Sequence, residues 1–102
     1  MQVAQDQAPD TKVSAGLGQP FELALKSRRS AGYEWRPQFD AGKLSLVGRR
    51  VKLPKRASFG GAETEIFTFR ALSSGHVGLA FDLVRPWEAT PVEHKIFHVE
   101  VA

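Results

Sequence analysis

Arg85-Pro86-Trp87 carries the strongest chemical signature in the sequence, and that chemistry is recognition rather than catalysis. Proline has no N–H to give to a β-ladder, so it ends the strand-like run before it. Arginine and tryptophan flank that break, and both types are enriched at binding hot spots. Two readings of Trp87 stand side by side: an exposed anchor, or a cap on the end of a core. Catalytic constellations are hard to assemble elsewhere. The chain has no cysteine, which removes thiolate nucleophiles, thiolate metal sites and disulfides together. His94 and His98 have the spacing of a helical metal pair, but their segment reads as a strand. Residues four apart on a strand lie about 13 Å from each other, too far to share one metal at about 2 Å each. No serine, histidine and aspartate fall in a triad pattern. Gly16 and Gly18 precede no helix and so make no phosphate cradle. Glu63 and Glu65 read as solvated or paired carboxylates. Neither a cofactor nor a metal is expected.

The elements that must position this loop follow from alternation. Phe21, Leu23 and Leu25 alternate with polar or small residues, as do Phe67, Phe69 and Ala71, then Val77, Leu79, Phe81 and Leu83, then Phe97, Val99 and Val101. A period of two marks half-buried strands. Shorter strands are expected over Lys12–Ala15 and Tyr33–Phe39, with Tyr33, Trp35 and Phe39 on one side. A longer strand over Leu44–Leu53 has a basic face and a bend at Gly48. No window has helical periodicity. The fold expected is all-β, an immunoglobulin-like antiparallel β-sandwich of about seven to eight strands. Residues 1–10 read as a flexible tail, with room for a short first strand, and 11–102 as one domain.

Loop parity then becomes informative. In an antiparallel sandwich alternate connections emerge at the same end, so 27–32, 54–63 and 85–90 cluster together. The connections at the other end, 16–19, 40–43 and 73–75, look like plain turns. Long, distinctive loops gathered on one end of a rigid scaffold make a binding surface.

The 102 residues have a net charge of +3 and a pI near 9.6. That weakly basic balance does not amount to a nucleic-acid signature, and none is expected as a partner. No apolar run approaches the roughly 20 residues of a membrane helix, and no membrane association is expected. A basic cluster, Arg49-Arg50-Val51-Lys52 with Lys55 and Arg56, supports an alternative function: a polyanion- or surface-binding module using strand 49–56. The preferred account of that cluster is a charged sheet edge that discourages aggregation. The compartment is open. Periplasmic or secreted is expected if a signal peptide has been removed, and cytoplasmic otherwise.

The three loops together resemble the chagasin-type inhibitors of papain-like cysteine peptidases. Arg85-Pro86-Trp87 is similar to that family's Arg-Pro-Trp. Ser30-Ala31-Gly32-Tyr33 followed by Trp35 resembles its Asn-Pro-Thr-Thr-Gly-aromatic-x-Trp. Phe59-Gly60-Gly61-Ala62 resembles its Gly-x-Gly-Gly loop. Order, spacing and strand context agree from about Val13 to Val101. Arg28-Arg29 stands where the family has Asn-Pro, Ser30 and Ala31 stand for its two threonines, and Ser58 for its first glycine. The resemblance implies a monomeric inhibitor, not an enzyme, whose partner is a papain-like cysteine peptidase. Ser30, Ala31 and Gly32 would cover the catalytic cysteine, and Gly60 and Gly61 would lie along the cleft. Arg85 and Trp87 would contact the other side, with Arg85 making polar contacts and Trp87 stacking. Tyr33 reads equally as contact or core, and Trp35 as core. A version of this fold recruited to another partner is a third possibility, prompted by the lost threonines.

Overall fold

The computed structural model describes residues 3–5, 10–53 and 63–102. Eight strands follow in order: β1 (Val3–Gln5), β2 (Asp10–Ala15), β3 (Pro20–Lys26), β4 (Glu34–Gln38), β5 (Leu44–Lys52), β6 (Thr64–Ala71), β7 (Gly75–Val84) and β8 (Glu93–Val101). They form two four-stranded sheets, ordered β1-β3-β6-β5 and β2-β8-β7-β4. The only helical turn among the described residues is a three-residue 3-10 helix, Arg29–Ala31.

Alternation dictates which faces meet. Phe21, Leu23 and Leu25 on β3 and Phe67, Phe69 and Ala71 on β6 face inward from the first sheet. Trp35, Val77, Leu79, Phe81, Leu83, Phe97, Val99 and Val101 face them from the second. Phe81 is the aromatic hub. Its ring lies 4.9 Å from Phe67 and 6.2 Å from Phe69 across the sandwich, and 5.7 Å from Phe97 beside it. Tilted and edge-on geometries of this kind add to the area burial. Phe39 and Tyr33 pack on the margin of the core. Pro37 lies within β4, which is tolerated because β4 is an edge strand. The irregularity expected at Gly48 is present as a register shift between Leu46 and Gly48.

The antiparallel expectation holds for four of the six strand pairings and needs correction for two. β1 runs parallel to β3 and β2 parallel to β8. Both opening strands sit at sheet edges, where a short segment can add to a sheet already built. The short strand allowed within the tail is β1, and Asp10 already belongs to β2. The parity of the later connections is unaffected. Lys26 and Lys52 both pair with Thr64, Glu34 pairs with Val84, and Leu83 with Glu93. The connections after β3, β5 and β7 therefore leave from one end of the sandwich.

Glu65 is the buried exception on the inner face. It sits between Leu25 and Val51 in register, 4% exposed. Arg49 reaches one carboxylate oxygen at 3.4 Å, and its guanidinium lies 4.8 Å from the Phe67 ring centre. Oε2 has no hydrogen-bond partner among the described residues. Burial pushes the carboxyl above its ordinary range, opposed by the Arg49 hydrogen bond and charge. A raised value in the folded state means that the fold holds this proton to higher pH than the unfolded chain does. The associated stability is complete below the unfolded carboxyl range and is lost as pH rises through the folded value. Glu65→Gln removes that loss. Its melting temperature relative to the parent is expected to rise between pH 4 and pH 7; a difference that stays flat or narrows contradicts the assignment.

Candidate functional site

The first loop is held at its base by the scaffold. The buried Trp35 donates from Nε1 to the Lys26 carbonyl at 2.9 Å, tying β4 to the end of β3. The Ser27 N–H donates to the Glu63 carbonyl at 2.9 Å, which joins this loop to the residue entering β6. Between these anchors the chain makes one tight turn. Ala31 and Tyr33 donate to the Arg28 carbonyl and Gly32 to the Arg29 carbonyl, at 2.9–3.2 Å. Gly32 closes the turn at φ +84°, in the left-handed region where a Cβ is disfavoured. Ser30 and Ala31 stand exposed at the crest.

The third loop turns over Pro86 and Trp87, with the Glu88 N–H donating to the Arg85 carbonyl at 3.0 Å. The Val92 N–H then meets the Leu83 carbonyl at 2.9 Å and the ladder resumes. Trp87 is 70% exposed, so the core-cap reading is set aside. Its indole lies across the first loop. A Cβ built on Gly32 would stand 3.2 Å from Trp87 Cη2. The two motifs expected to converge thus touch.

Arg85, expected to make polar contacts with a partner, is also bonded within the molecule. Its Nε donates to the Ala31 carbonyl at 3.3 Å and its Nη1 to Glu88 Oε1 at 3.2 Å. The guanidinium covers the Tyr33 ring at 4.4 Å from its centre and lies 6.0 Å from that of Trp87. A planar guanidinium can stack and donate at once, which an ammonium cannot. Arg85 therefore rivets the third loop to the first, and Tyr33 forms the bed beneath it.

The two arginines standing where the resembled family has Asn-Pro also have work inside the molecule. Arg28 pairs with Glu93 at 3.1 Å and Arg29 with Glu63 at 3.9 Å. They reach toward β8 and β6 respectively, so ion pairs brace the loop on both sides. Sequence reasoning did not single out Glu63, Glu88 or Glu93 for these roles, because pairings so distant in sequence need the strand register. Phe59, Gly60, Gly61 and Ala62 lie outside the described residues. The flanks of their loop, Lys52 and Thr64, meet at the same end as the other two loops.

The basic strand is partly neutralised. Arg49 pairs with Glu65, and Arg50 with Glu22 at 2.8 Å. The Arg50–Glu22 bridge crosses over β6 on the outer face, where Ile66 is buried. Lys55 and Arg56 lie outside the described residues.

The Gly32–Trp87 contact makes a sharp expectation. Gly32→Ala imposes a left-handed alanine, which costs about 1–2 kcal/mol. It also pushes the new methyl against the indole. The melting temperature should fall by about 4–8 °C per kcal/mol for a domain of this size. Trp87 should be displaced from the first loop, which its fluorescence can report. An unchanged melting temperature and spectrum would contradict the packing.

Comparisons with known proteins bear on the family and the fold. The sequence profile described as Chagasin family peptidase inhibitor I42 matches residues 14–101. No curated protein sequence matches. Among solved structures, the chain resembles the cysteine protease inhibitor EhICP2 from Entamoeba histolytica with a TM-score of 0.83 and 16% identity, covering 98% of this chain and 94% of that one. Leishmania mexicana ICP superposes with a TM-score of 0.63 and 22% identity, over 94% and 91% of the two chains. PbICP-C, solved in complex with falcipain-2, gives a TM-score of 0.62 and 16% identity over 100% of both chains. At these identities the likeness is one of fold.

Proposed function

Because the chain belongs to the chagasin family of peptidase inhibitors, we propose that it blocks papain-like cysteine peptidases by seating the loop-bearing end of its sandwich in the enzyme's cleft. The protein is an inhibitor and not itself an enzyme. The observation that carries this reading is the contact of Trp87 with Gly32 at one end of the sandwich, locked by Arg85 on the Ala31 carbonyl. That PbICP-C was solved in complex with falcipain-2 supports a papain-like partner.

The mechanism follows from stiffness. A substrate is cut when an extended peptide lies across the nucleophile. Here the crest of the first loop is a hydrogen-bonded 3-10 turn closed by a left-handed glycine, which is not extended. Ser30 and Ala31 are small, so the backbone can approach the enzyme's cysteine without presenting a scissile geometry. Trp87 lays an exposed aromatic face alongside, an apolar anchor of the kind that dominates interface energies. Arg85 contributes by holding both loops in place. The second loop, with Gly60 and Gly61, would fill the remaining length of the cleft. An interface of standard size buries roughly 1,600 Å², and loops already braced pay little ordering entropy on binding.

The test is titration of the folded protein against papain and a cathepsin L-like enzyme, with a serine peptidase as control. Inhibition confined to the papain-like enzymes, saturating at one inhibitor per active site, is expected. No inhibition at micromolar concentration would overturn the proposal.

A further inference from the structure

We infer that His76 and His98 form a two-imidazole site for a borderline divalent cation of the zinc class, on the outer face of the second sheet. Both side chains project from that face. His98 pairs in register with Gly78, two residues along β7 from His76. Gly78 has no side chain, and a Cβ placed there would meet nothing within 4 Å. That gap lets the two rings lean together diagonally across the strands. His76 Nε2 and His98 Nδ1 stand 3.3 Å apart. Two metal–nitrogen bonds of about 2.0–2.1 Å at a tetrahedral angle separate their nitrogens by about 3.3–3.4 Å. The spacing of the two nitrogens therefore matches the separation of two ligands on a tetrahedral cation.

The surroundings fit the same chemistry. The other nitrogen of His98, Nε2, faces Asp10 Oδ1 at 3.7 Å. That separation is longer than a hydrogen bond, but it places a negative charge beside the ring, which favours a cation nearby. Glu100 lies directly across from His76 and lines the same cleft with Lys12. No ready-made group of three histidine, cysteine or acidic ligands exists among the described residues. The site is thus an open one, with its further positions left to water or to Glu100. The helical-spacing pair of the sequence, His94 and His98, is not the one assembled; His94 instead contacts Asp82. The competing account is a neutral imidazole hydrogen bond between His76 and His98, which needs no metal. The site lies away from the three loops, near the turn that begins β7, so a bound cation would stiffen the β7–β8 ladder without covering the inhibitory end.

Thermal unfolding and calorimetric titration at neutral pH with zinc chloride, and with magnesium chloride as a hard-cation control, decide between these accounts. One zinc per chain is expected. Free zinc at a hundredfold excess over its dissociation constant should raise the melting temperature by about 11–22 °C. Zinc should also shift the ring resonances of His76 and His98 but not those of His94. His76→Ala and His98→Ala should each abolish the effect, and His94→Ala should retain it. No zinc response at millimolar concentration overturns the site. So does an equal response to magnesium, or a zinc response that persists in both His76→Ala and His98→Ala.

Discussion

Trp87→Ala is expected to weaken inhibition of a papain-like peptidase by about thirtyfold or more, the cost of losing an interface hot spot of about 2 kcal/mol. It should do so with the fold intact. The indole is 70% exposed and rests on the first loop rather than in the core, so its removal exposes little that was buried. Stability should stay within about 0.5 kcal/mol of the parent, as for surface substitutions generally. Inhibition kinetics and a melting curve on the same sample check both halves. A variant that inhibits normally removes Trp87 from the interface. One that loses inhibition only because it unfolds would mean that the indole supports the scaffold instead.

Trp35→Ala should give the opposite pattern. This tryptophan is 1% exposed, faces the core from β4 and donates its indole N–H to the Lys26 carbonyl across the sandwich. Truncation leaves a large cavity and costs about 3–5 kcal/mol. At about 4–8 °C per kcal/mol, the melting temperature should drop far enough to leave a marginal domain. Because the same bond anchors the base of the first loop, inhibition should fall in step with the folded fraction. Chemical denaturation beside an inhibition assay separates the two. A loss of less than about 1 kcal/mol would contradict the cavity argument. The two tryptophans thus divide the labour, one holding the scaffold and the other meeting the partner.

Much of this was legible in the letters. The period-two runs around Phe21, Phe67, Phe81 and Phe97 announce strands because a half-buried sheet admits little else. Loop parity alone places Gly32 and Trp87 at one end. The parallel edges were not legible, because β1 is only three residues long, β2 is half exposed, and both are held by sheets formed elsewhere in the chain. The bracing role of Arg85 was not legible for a related reason. Residue type marks it as a binding arginine, but nothing in the tripeptide says which way the side chain points. It finds the Ala31 carbonyl and the Tyr33 ring only once two distant strands have been aligned. Arg28 and Arg29 looked like losses from a motif, whereas their pairing with Glu93 and Glu63 makes them braces. For Glu65 the signal was present: continuing the alternation of Phe67 and Phe69 back by two residues puts it on the inner face.

The central claim concerns which surface meets the enzyme, and amide hydrogen exchange in the presence of a papain-like peptidase inactivated by replacing its catalytic cysteine with alanine, its cleft left open, reads that surface directly. Protection is predicted at residues 28–33 and at the amides of Trp87 and Glu88, with the exposed strand around Arg49 to Lys52 unchanged. Protection confined to that strand, with the two loops exchanging as freely as before, would contradict the account.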